Sequence, residues 1–240
     1  VYAYHPSRSG KVPIEYLAGY QGFVQTDGYK GYDALGRQPG VVLVGCWVHA
    51  RRKFDKVLKA MGSSKRTGAA DEAMAYIGKL YAVEKEARQK ELEPDQVYAL
   101  RQEKAKPELE AFKTWLDQKA PTTPPKGLLG KAIAYTLNHW TRLCRYLDDG
   151  RLLPDNNLVE NAIRPFVVGR KNWLFSGHPV GAQASAGFYS LIETAKANGL
   201  KPYFYLRYLF DQLPLATSEA DFKKLLPQYV DPALLDTPAR

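Results

Sequence analysis

From about residue 55 to residue 150 the apolar side chains recur at helical spacing throughout. Met74, Ile77, Leu80 and Tyr81 make one stripe, and Leu109, Phe112 and Leu116 a second. Leu129, Ile133, Leu137, Trp140 and Leu147 make a third. The flanking sequence has a different period. Gly22 to Thr26 reads as a strand that stops at Asp27-Gly28, and Val41 to Trp47 is an almost unbroken apolar run, as in a strand buried on both faces. The change of period predicts an α/β core with a block of helices set into it. Loops within the block are expected at 62–68 and 121–127.

Before the block, residues 1–6 (VYAYHP) carry the aromatic and β-branched residues of a short strand. A polar turn at 7–11 and short helices over 13–20 and 29–35 should follow. His49-Ala-Arg51-Arg52-Lys53-Phe54 begins a helix with a basic surface. The chain starts at Val1, without an initiator Met and in mid-strand, and so reads as a fragment.

After the block comes the densest stretch of polar residues, 151–177. Asn156, Glu160 and Arg164 fall at i, i+4 and i+8, which puts an amide, a carboxylate and a guanidinium on one helical face. Leu158, Val159, Ala162, Ile163, Phe166 and Val167 should form the buried face. Pro165 predicts a kink or break near Arg164. Asn157 with Glu160 also fits a capping box, in which Glu160 turns to backbone amides instead of to chemistry. Arg170 and Lys171 follow, then Trp173 and Phe175, which read as core residues like Trp47. Residues 177–183 should be loop, 185–198 a helix stopped by Asn198-Gly199, and 202–213 another. Ser218 with Asp221 should open a third helix, and the last ten residues should be a loose tail.

A net charge of +9 points to a polyanionic partner, and nucleic acid is preferred because no basic amphipathic helix has a lipid-facing side. With 45% hydrophobic and 12% aromatic residues the chain is not a disordered one. Cys46 and Cys144 are far apart and in no metal-type pairing, which favours a reducing cytoplasm. No run of membrane-spanning length appears.

Two acids stand where chemistry would need them. Asp27 lies at the carboxyl end of a strand, where open α/β sheets place functional groups, although Asp-Gly is also an ordinary turn. Glu160 lies on a helix. Together they offer hard oxygen ligands for Mg²⁺ or Mn²⁺. Two-metal phosphoryl transfer ordinarily needs a third acid, and no convincing candidate stands in the sequence.

The runs GFVQTDGYKGY, VGCWVHARRKF, DGRLLPDNNLVENAIRP, GRKNWLFSG and YSLIETAKANGLKP resemble the transposases of the insertion sequence 66 family, in order and over nearly the whole chain. The resemblance implies a DDE enzyme with a ribonuclease-H-like core, incomplete at its N-terminus here and interrupted by an all-helical insertion. Its parts would be 1–54 and 151–200 for the core, 55–150 for the insertion, and 201–240 for C-terminal helices and tail. By the same resemblance Asp27 matches the second catalytic Asp and Glu160 the catalytic Glu, while the first Asp lies upstream of Val1. The reaction implied is DNA strand cleavage and transfer with two Mg²⁺ or Mn²⁺ ions, on element ends and target duplex, by a homo-oligomer in a bacterial cytoplasm at the nucleoid.

Within that scheme Arg51, Arg52, Lys53, Arg164, Arg170 and Lys171 would neutralise DNA phosphates, or be plain surface charges. Asn156 and Asn157 would orient Glu160 or only cap its helix. His49 would lie near Asp27 or be a hydrogen-bonded structural residue. Two other readings exist. His49-x-x-Arg52 is the H-x-x-R of a tyrosine recombinase, and a chain without its first Asp could bind DNA and not cut it.

Overall fold

The computed structural model describes residues 1–61, 68–174 and 176–235. The expected loop at 62–68 and the aromatic Phe175 therefore fall, apart from Gly68, outside the described residues. The chain divides into two compact units, residues 8–158 and residues 1–7 with 159–240.

The larger unit opens with α1 (Lys11–Tyr16) and β1 (Gly22–Gln25). Two short 3₁₀ turns, Lys30–Tyr32 and Leu35–Arg37, replace the helix expected near 29–35 and lead to β2 (Val41–Val44). The two strands pair in parallel, Gly22 opposite Val41 through Gln25 opposite Val44. Both faces of this ribbon are covered, as the apolar run of β2 requires. Val41 and Leu43 pack with Val24, Ile14 and Leu17 on one side. Val44 and Phe23 join the main core on the other. That alternation is the two-residue period of a pleated strand.

β2 ends at Val44, and Trp47 already belongs to α2 (Trp47–Met61). Every described element from there to residue 150 is helical: α3 (Ala69–Gln89), α4 (Pro94–Leu100), α5 (Lys106–Lys119), α6 (Leu128–Asn138) and α7 (Trp140–Cys144), with short 3₁₀ turns. The stripes read from sequence meet in one core, where Ile77, Leu80, Leu109, Phe112, Leu116 and Ile133 surround Trp47 and Phe54. Trp47 is fully buried, and its indole N–H donates to the Leu143 carbonyl at 2.9 Å.

A π-turn, Arg101–Ala105, joins α4 to α5. The charge-rich run 84–110, which looks like a solvated face, in fact hides a buried ion pair there. Arg101 is 1% exposed and Glu84 4%. Arg101 Nε and Nη2 donate to the two Glu84 carboxylate oxygens, each at 2.8 Å. Nη1 donates to the carbonyls of Tyr146 and Asp149, and Nη2 also to that of Leu152. All five guanidinium N–H groups are thus engaged. The pair escapes a sequence reading because its partners lie 17 residues apart on different helices.

In the smaller unit residues 1–5 form no strand, because β propensity without a neighbouring strand makes no ladder. Tyr2 instead donates its backbone N–H to Ser190 Oγ at 2.7 Å and its hydroxyl to the Ala162 carbonyl. Its ring stacks on Phe166 and meets Tyr189 edge-on. Then come α8 (Asn157–Trp173), α9 (Pro179–Ala197), α10 (Pro202–Gln212) and α11 (Glu219–Lys224). α9 starts within the expected loop because Pro179 occupies its first turn and His178 Nδ1 accepts from Val180 N. Ser218 and Asp221 do form a capping box. Ala195, Leu200, Tyr205, Leu209, Leu225, Val230 and Leu235 make this unit's core, so the tail is anchored as far as Leu235.

Candidate functional site

Asp27 follows the end of β1, one residue beyond Thr26, whose N–H still donates to the Val44 carbonyl. The Asp27 side chain is exposed, and its Oδ1 accepts from Tyr29 N at 2.9 Å. The second carboxylate oxygen carries no protein hydrogen bond among the described residues. Gly28 makes the turn possible. Its φ is +82°, and a Cβ there would stand 2.8 Å from Tyr135 Oη and 3.0 Å from His139 Nε2.

Tyr135 and His139 are therefore part of this site, although sequence reasoning missed them. They lie one turn apart at the end of α6, with stacked rings 4.3 Å between centroids. Tyr135 Oη donates to the Asp27 carbonyl at 3.1 Å. His139 Nδ1 is 2.8 Å from the Tyr135 carbonyl, which can only accept, so Nδ1 bears the proton. The other ring nitrogen, Nε2, faces Gly28. Burial, with Cys46 and Asp27 adding to it, pushes the Tyr135 phenol up to about 12. Lys53 Nζ stands 4.5 Å from the centre of the Tyr135 ring, which ties one of the basic residues of α2 to this corner. Arg51 and Arg52 are exposed on the same helix, and His49 is half-buried in its first turn.

The start of α8 is held by Asp155, a buried acid that the sequence reading passed over. Its Oδ1 accepts from Asn157 N at 3.0 Å and its Oδ2 from Tyr81 Oη at 2.9 Å. Burial and the Asp155 carboxylate raise the Tyr81 phenol far above its ordinary value. Asn157 is thus inside the helix and not its N-cap, which displaces the predicted capping box. Asn156 Oδ1 accepts from the Cys46 thiol at 3.0 Å, and burial raises that thiol's pKa. The Asp-Asn-Asn sequence at 155–157 was the available signal, since Asx side chains cap helices.

Glu160 is half-buried in the first turn of α8. Arg164, Arg170 and Lys171 are exposed along the same helix. The helix runs on through Pro165, so the expected break is absent. Nor is its apolar stripe buried: Leu158 is 70% exposed, Val159 68% and Val167 52%. Helical spacing marks which residues share a face, and does not supply what covers them.

Asp27, His49, Arg51, Arg52, Lys53, Asn156 and Asn157 belong to the larger unit; Glu160, Arg164, Arg170 and Lys171 belong to the smaller one. The open carboxylate of Asp27 is a donor of the type that Mg²⁺ or Mn²⁺ prefers. Among the described residues no group of three or more His, Cys, Asp or Glu side chains is assembled as a metal cluster. No described helix is long and apolar enough to cross a membrane.

A family model described as the transposase IS66 family matches residues 1–184, and one described as the IS66 C-terminal element matches residues 190–228. Among similar proteins are two uncharacterized proteins of Sinorhizobium fredii (strain NBRC 101917 / NGR234). One, y4jD, is 35% identical over 218 residues, covering 88% of this chain and 42% of that protein. The other, y4qI, is 32% identical over 234 residues, covering 94% of this chain and 42% of that protein. The chain thus spans about two fifths of the length of these curated relatives. No solved structure matches it. With more than half of its residues matched by the family model, the chain belongs to the transposase IS66 family.

Proposed function

We propose that this chain carries part of the catalytic centre of a DDE transposase, which cleaves DNA at the ends of an insertion sequence and joins them to target DNA. One observation supports this above the family match. The Asp27 carboxylate leaves the end of a parallel strand with one oxygen fixed by Tyr29 N and the other open, in a turn that Tyr135 holds from below. In this reading Asp27 and Glu160 are the acids of this chain that would serve as ligands to a divalent metal, Mg²⁺ or Mn²⁺. The chemistry such a cation supplies when bound is Lewis-acid relief of charge on a phosphodiester. The chain's own part is to present the carboxylates at a fixed angle and to neutralise phosphates with Arg51, Arg52, Lys53, Arg164, Arg170 and Lys171.

In this reading β1 and β2 are the parallel strands of a ribonuclease-H-like sheet. Residues 1–54 and 151–200 are its two parts, 55–150 an inserted helical block, and 201–240 an appendage. The parallel pairing and the helical character of the block are the supports. Asn156 steadies the approach to Glu160 through its hydrogen bond from Cys46.

The test is strand cleavage of element-end duplex by the intact polypeptide in Mg²⁺ or Mn²⁺. Asp27→Asn and Glu160→Gln should each reduce cleavage to background and leave duplex affinity unchanged or tighter. Full cleavage by either variant sinks the assignment.

A further inference from the structure

An open concavity of about 410 Å³ is lined by Asp33, Gly36, Arg37, Leu43, Thr141, Arg142 and Arg145. Three guanidiniums thus share it with one carboxylate. Arg142 Nη2 pairs with Asp33 Oδ1 at 2.8 Å, and Arg145 Nη1 donates to the Leu43 carbonyl at 3.1 Å. Arg142 and Arg145 are half-buried, so they are partly stripped of water, and most of their N–H groups are left for another acceptor. Arg37 is exposed at the rim, and its guanidinium makes no hydrogen bond or ion pair with the described residues.

No aromatic ring lines the cavity, so it offers nothing to stack a base. Its size is that of a small-ligand site. Clustered guanidiniums match the tetrahedral oxygens of phosphate. The backbone fixes the cavity to the candidate site, because Gly45 N donates to the Arg142 carbonyl at 2.7 Å. His139, three residues before Arg142, lies against Gly28.

We propose that this cavity binds a backbone phosphate of duplex DNA and so sets the register of the strand that reaches Asp27. The proposal rests on the DNA function argued above. Arg37 gives its whole charge to DNA, Arg142 and Arg145 are anchored partners, and Asp33 moderates the charge.

The experiment is duplex affinity of the full chain against salt, with inorganic phosphate as competitor. Arg37→Ala should lower affinity about tenfold at low salt and flatten the slope of log affinity against log salt by roughly 0.9, the value for one phosphate. Asp33→Asn should act in the opposite direction and tighten binding, which a merely structural Asp33 would not do. Arg37 is exposed, so its replacement should leave the melting temperature unchanged. An unaltered slope in Arg37→Ala, or weaker binding in Asp33→Asn, overturns the proposal. Inorganic phosphate binding that depends on Arg37 while duplex affinity does not would overturn DNA as the occupant. Absence of duplex binding by the unaltered chain would instead defeat the DNA function itself, and this inference with it.

Discussion

At the scale of single residues, the Asp27 turn is held by one hydroxyl and one missing side chain. Gly28→Ala would force a Cβ into the left-handed region and against Tyr135 Oη. It should cost about 1–2 kcal/mol from backbone strain alone. Tyr135→Phe keeps the ring stacked on His139 and removes only the bond to the Asp27 carbonyl, so it should cost about 0.5–1.5 kcal/mol. Urea unfolding measures both, and a Gly28→Ala chain as stable as the parent would show that the turn relaxes freely. Asp27 was legible from sequence because strand, acid and glycine are adjacent in the chain. Tyr135 was not, because it lies 108 residues away and off the apolar stripe of its own helix. A tyrosine at such a position looks like any half-buried ring until the fold brings it to its partner.

At the scale of elements, the Glu84–Arg101 pair joins α3 to the π-turn and, through three carbonyls, to the turn that precedes α8. Arg101→Ala would leave the Glu84 carboxylate buried without its counter-charge and should destabilise the chain by about 3–5 kcal/mol. Replacing both partners with apolar residues should recover much of that loss, and denaturant titration of the single and double variants separates the two outcomes. Equal loss in both would mean that the bonds to the carbonyls matter more than the buried charge. The helices themselves were legible, since periodicity reports which residues share a face. The strand expected at 1–6 and the buried stripe expected on α8 were not, because each depends on a partner surface that local pattern cannot specify. On α8, Arg170 and Lys171 stand exposed in the last turn. Their joint replacement by Ala should flatten the salt dependence of duplex binding by roughly 0.9 for each phosphate they neutralise. An unchanged slope would remove them from the DNA surface.

At the scale of the whole molecule, folding raises six phenols above their ordinary value. Burial pushes Tyr135 and Tyr205 up to about 12 and raises Tyr2, Tyr32, Tyr81 and Tyr146 as well. In the unfolded chain these groups lose their protons near the ordinary phenol value of 10.0. Between pH 10 and 12 the unfolded state therefore binds fewer protons than the folded one, and stability must fall as pH rises. Below pH 10 this contribution is fully present. The urea midpoint should drop steeply through that window, and Tyr135→Phe with Tyr205→Phe should make the drop shallower. A midpoint that stays level to pH 12 would contradict the burial of these rings.

The π-turn at Arg101–Ala105 bears on how this chain can change its length. A π-turn is a wide turn of helix that commonly holds one residue more than a regular α-turn would. Removing one residue there would let α4 and α5 fuse into a regular helix and would turn everything after the cut by about 100° relative to everything before it. Leu109, Phe112 and Leu116 would leave the core together, or Arg101 would leave Glu84. The loops of a helical block ordinarily absorb gains and losses of residues, but this segment is in effect a counted spacer. Variants of the chain that differ in length should differ on either side of 101–105 and keep that count.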